Sequence, residues 1–136
     1  MNSFSPGVSG LALPTAAPVA NSSGNVAAAS AVATLPAAAG KLTSIEGFDI
    51  TGSGATAASI VIVTVTGLLA GTLSFDVVVP AGVTTGIGGT GNPGVIPIRF
   101  PTPLPASALN TPIVVTVPSF GSGNTNACVT AYGIQA

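Results

Sequence analysis

The sequence predicts an all-β chain, an antiparallel β-sandwich of jelly-roll or Greek-key type with an extended N-terminal arm. Three observations carry this. Short runs of β-branched and aromatic residues recur along the chain, most plainly "SIVIVTVT" at 59–66. Eighteen Gly and twelve Pro in 136 residues punctuate them, so turns are frequent and no long helix fits between. No self-similar unit of 20–50 residues recurs, which disfavours a solenoid. A chain of this length suits one domain, divided here into an arm over residues 1–24 and a β-sandwich over 25–136.

The arm, "MNSFSPGVSGLALPTAAPVANSSG", holds Pro6, Pro14 and Pro18, which fix φ and remove donors, so extended or edge-strand backbone is expected. Its scattered apolar residues Phe4, Leu11, Leu13 and Val19 have no period of their own and read as anchors for a groove on a partner. A plain solvated tail is the alternative reading. "NVAAASAVATL" (25–35) has helical propensity in its alanines, but Asn25 and Pro36 bracket it and every other segment is β, so a strand is preferred. "KLTSIEGFDIT" (41–51) alternates until Glu46-Gly47, where the shift in phase predicts a β-bulge.

In 59–66 one row is Val61, Val63 and Val65 and the other is Ile60, Ile62, Thr64 and Thr66, so both faces are apolar. Such a strand is covered on both sides. One cover is the sandwich core; no helix is expected to supply the second, so a neighbouring subunit is expected there, with Val61, Val63 and Val65, or else the facing row, assigned to the partner interface. "TGLLAGT" then turns a hairpin into "TLSFDVVV" (72–79), whose Leu73, Phe75, Val77 and Val79 point inward and Asp76 outward. "TTGIGGTGNPG" (84–94) is a Gly-rich loop. "VIPIRF" (95–100) is an edge strand because Pro97 cannot donate to a ladder, and "PTPLPASALNTP" is a Pro-stiffened crossing. "IVVTV" (113–117) and "ACVTAYGIQ" (127–135) complete seven or eight strands.

Composition excludes much chemistry. The charged residues are Lys41, Glu46, Asp49, Asp76 and Arg99, and there is no His and no Trp. Without His, the usual general base and the Ser-His or Cys-His nucleophile are absent, so no enzyme and no catalytic residue is assigned. Glu46 and Asp49 lie three apart around the bulge, yet sugar chemistry on paired carboxylates wants aromatic platforms that one Tyr cannot supply. No ligand cluster suggests a metal or other cofactor. "GSGATA" (52–57) has the outline of a dinucleotide fingerprint but runs into a strand rather than a helix, and Gly40-Lys41 lacks the rest of a P-loop.

Thr64-Val65-Thr66 is a single pair without the repeat that an ice-binding array needs. Two cations cannot neutralise a nucleic-acid backbone. Cys128 cannot form an intrachain disulfide and reads as a small buried hydrophobe. No signal peptide and no membrane-spanning stretch is recognised, so a protein made in the cytoplasm is expected. Small Ala, Val and Ile side chains build a thin core, and a surface this poor in charge is unusual for a free monomer. Self-association, as a homo-oligomer, is the expectation.

The phrases "LPAAAGKLTSIEGFDITGSGATAASIVIVTVTGLLAGTLSFDVVVPAGVT" and "PLPASALNTPIVVTVPSFGSGNTNACVTAYGIQA" resemble small β-sandwich virion accessory proteins of tailed bacteriophages, of the capsid-decoration (cement) kind. The resemblance covers about residues 35–136 and lies in texture rather than in a catalytic signature. It implies a homotrimer on the capsid surface, bound to the major capsid protein and stabilising the shell, with the arm reaching to neighbours. A tail or head-fibre component that binds a host receptor is the alternative, with few exposed aromatic anchors to serve it.

Overall fold

A computed structural model describes residues 16–79, 81 and 95–136. Eight strands form among them: β1 (Ala17–Ser22), β2 (Ala31–Leu35), β3 (Thr43–Ser53), β4 (Ser59–Thr66), β5 (Leu73–Val79), β6 (Ile96–Pro105), β7 (Ile113–Val117) and β8 (Asn126–Gln135). They make two four-stranded antiparallel sheets, ordered β1-β8-β3-β6 and β2-β7-β4-β5, stacked as a β-sandwich. Pairing is nested: β1 meets β8, β2 meets β7, β3 meets β6 and β4 meets β5, with β3–β8 and β4–β7 closing each sheet.

Alternation drives the layering, because successive side chains in a strand point to opposite faces. β7 buries Ile113, Val115 and Val117 and turns Val114 and Thr116 outward; β2 buries Ala31, Ala33 and Leu35. From the other sheet come Ile45, Phe48, Ile50, Val129 and Ala131. At one end of the core, Phe48, Phe75 and Phe100 meet with ring centroids 5.9–6.4 Å apart, the first pair edge to face. Thr43 is fully buried, and its hydroxyl donates to Pro36 O at 3.0 Å and accepts from Gln135 Nε2 at 3.2 Å, so its polarity is satisfied.

The expected bulge lies between Ile45 and Gly47, where β3 slips register against both β6 and β8. The hairpin between β4 and β5 opens at Gly67, whose φ of +89° suits glycine and whose missing Cβ leaves room for the Pro112 carbonyl.

Several expectations change. The arm assigned to 1–24 has its last part hydrogen-bonded as the edge strand β1, and Val19 packs on this chain's own core rather than on a partner. Phe4, Leu11 and Leu13 lie outside the described residues, as does most of the Gly-rich loop. In 25–35 only the second half is β2; residues before it carry a single bridge, Val26 to Ala127. The Pro-rich crossing begins as strand, since β6 runs through Pro105; β6 tolerates four prolines because it is a sheet edge.

Candidate functional site

β4 carries the main correction. Val61, Val63 and Val65 are 7%, 0% and 0% exposed and belong to the core, so they cannot serve a partner interface. Their alternates face outward: Ile60 is 66% and Ile62 54% exposed. The expectation of a second apolar face holds, but the rows are exchanged. Sequence alternation identifies two rows without saying which one faces the other sheet; the phase is set by Val65 lying beside Val115 of the buried β7 row.

The rows extend across the second sheet. Ile60 sits beside Val78, Ile62 beside Asp76, and Thr64 between Thr116 and Ser74. Val32 flanks Thr116, and Thr66 and Thr34 flank Val114. Val78 is 66% and Val32 43% exposed, and among the described residues Asp76 carries the only charge on this face. An antiparallel sheet with one wet face normally alternates to polar side chains there. Here Val32, Ile60, Ile62 and Val78 are exposed among the threonines, Ser74 and Asp76 of that face.

The outer face of the first sheet is different. At the bulge, Gly47 is opposite both Arg99 and Tyr132. A Cβ on Gly47 would press on the Ile98 carbonyl and lie 2.9 Å from Arg99 Cδ, so the glycine lets the Arg99 side chain cross the sheet. Its Nη2 lies 2.8 Å from Asp49 Oδ1. That contact is charge attraction without the alignment of a good hydrogen bond, since Oδ1 has no hydrogen-bond partner. Nη1 donates to the carbonyls of Phe48 and Ile98, both at 3.1 Å. Tyr132 donates its hydroxyl to Asp49 Oδ2 at 2.9 Å, and the guanidinium lies 5.4 Å from its ring centroid. This hydrogen bond, with the nearby carboxylate charge, raises the Tyr132 pKa above its ordinary value of 10.0.

The cluster ties β3, β6 and β8 together. Asp49 is thus held by Arg99 and Tyr132, while Glu46 points into solvent from the bulge. Sequence reading did not connect these three residues, because cross-strand register is invisible in a single chain. The one available signal was the predicted bulge. Cys128 is half-buried on this same outer face, its Sγ 3.4 Å from Ser22 Oγ, rather than in the core.

Among the described residues no group of three His, Cys, Asp or Glu could hold a metal ion, and no helix is long and apolar enough to cross a membrane. No protein-family model, curated protein or solved structure matches this chain.

Proposed function

We propose that the chain is a structural virion protein, a bacteriophage capsid-decoration (cement) subunit that self-associates, most simply as a trimer, and binds the major capsid protein. The observation that carries this reading is the open, nearly uncharged face of β2-β7-β4-β5 among the described residues. The nested strand order supports it, since it is that of an eight-stranded jelly roll, a fold used by viral capsid and lectin domains. Fold alone does not carry function, which is why the reading rests on the surface. The mechanism is mass action: a protein that binds the assembled shell and not its separated parts stabilises the shell. Assembly follows synthesis in the host cytoplasm.

The alternative, a tail or head-fibre protein that touches a receptor, is favoured by Tyr132, 38% exposed and backed by Arg99 and Asp49. Immunogold electron microscopy of purified virions with an antibody to this chain separates the two. Label distributed over the head supports decoration, label confined to the tail or to fibre tips supports receptor contact, and unlabelled particles refute both.

A further inference from the structure

The sandwich has four sheet edges, and three carry devices against pairing. β6 holds Pro97, Pro101, Pro103 and Pro105. β1 holds Pro18 and lies along β2, where Asn21 Oδ1 accepts the Thr34 N–H at 2.9 Å and seals the seam between the sheets. β5, "LSFDVVV", has no proline and one charge, and among the described residues it pairs only with β4. Its inward face is apolar and incompletely covered, while its outward row is Ser74, Asp76 and Val78. Leu73 and Phe75 point inward yet are only half-buried, Val78 is exposed outward, and the neighbouring Ile98 and Phe100 of β6 are half-buried as well. Residues 82–94, which link the two edges, lie outside the described residues.

The chain itself contains a segment that fits. Between Pro6 and Pro14 runs Gly7–Leu13, "GVSGLAL", seven consecutive residues that keep their N–H groups, against the seven of β5. It is uncharged, and Leu11 and Leu13, two apart, share one face of an extended strand. The acceptor is a second copy, for reasons of reach. From Leu13 to Ala17 there are four Cα steps, at most about 14 Å. β1 and β5 lie at opposite sides of the sandwich, three strand spacings (about 14 Å) apart laterally, with a sheet separation of about 10 Å to be skirted outside the core. A chain's own arm therefore falls short of its own β5. A second β5 is a poorer occupant, because antiparallel pairing about the strand's centre would set Asp76 against Asp76.

We infer that residues 7–13 of one copy add as an extra strand to the β5 edge of the next, so that self-association is a head-to-tail exchange of arms. This is recognition by strand addition, with backbone hydrogen bonds for affinity and the leucines for specificity. A head-to-tail contact closes into a ring when its rotation allows, which is how a trimer would arise. The inference rests on the self-association part of the proposed function and on nothing about the capsid.

Complementation in full-length chains tests it. The arm variant is L11D/L13D, whose edge is intact; the edge variant is S74K/V78K, two outward-facing positions, whose arm is intact. Native mass spectrometry at micromolar concentration should give a closed oligomer for the wild type and folded monomers for each variant, with association weakened on the order of a hundredfold or more. A mixture of the two variants should form a 1:1 heterodimer, one arm on one edge. Circular dichroism checks folding, and V78K alone replaces the double edge variant should that variant unfold. A monomeric wild type, an arm variant that still oligomerises, or a mixture that stays monomeric overturns the inference. None of these outcomes bears on where immunogold label falls.

Discussion

Ile62 and Val63 are adjacent in sequence and opposite in fate, so the same substitution at each measures the two faces of β4. Val63 is 0% exposed in the core between the sheets. Val63→Asp removes about 1.5–3 kcal/mol of burial and places a carboxylate with no polar partner there, costing several kcal/mol more. Together these approach the whole net stability of a domain, about 5–15 kcal/mol, so the variant should be unfolded or aggregated at neutral pH. Ile62 is 54% exposed, so about half of that burial is lost, roughly 1 kcal/mol. The new carboxylate also lies directly across from Asp76, adding up to about 1 kcal/mol of like-charge repulsion. The expected loss is about 1–2 kcal/mol, a fall in Tm of roughly 5 °C for a domain of this size. Thermal melts by circular dichroism at pH 7 read both, and raising the salt should recover part of the Ile62→Asp deficit by screening. If Ile62→Asp unfolds the protein, or if the two variants melt together, the phase of β4 described above is wrong.

Gly47→Ala should destabilise by about 1–3 kcal/mol, since the methyl group meets the Ile98 carbonyl and the Arg99 stem; chemical denaturation at an unchanged m-value would register it, and a neutral result would refute the close approach at the bulge. Tyr132 should ionise above pH 10, seen as a delayed rise in tyrosinate absorbance. Asp49→Asn should move that midpoint back toward the ordinary value, because both the hydrogen bond to a carboxylate and the repulsion between two anions disappear. The sign follows from linkage: a folded pKa raised above the unfolded value gives a contribution that is complete below pH 10 and is lost as the pH climbs through the folded value. An unchanged midpoint in Asp49→Asn would mean that the hydroxyl does not donate to Asp49 in solution.

Local chemistry determined much of this protein. The limits of β4 and β7, the bulge at Glu46-Gly47, the hairpin after Thr66 and the edge position of β6 all follow from side-chain alternation, a phase shift, glycines and one proline, each acting within a few residues. The scarcity of charge and the absence of His likewise restrict chemistry wherever the residues fall. Three matters needed the tertiary structure. Which row of β4 is buried depends on the β7 residues beside it, about fifty positions away, and period-two alternation is blind to that choice. Asp49, Arg99 and Tyr132 meet only because β3 is flanked by both β6 and β8, and the bulge sets all three on one face. Ala17–Ser22 reads only as part of an extended arm until β8 supplies its partner, since a six-residue edge strand with a proline has no stability except through the sheet it joins.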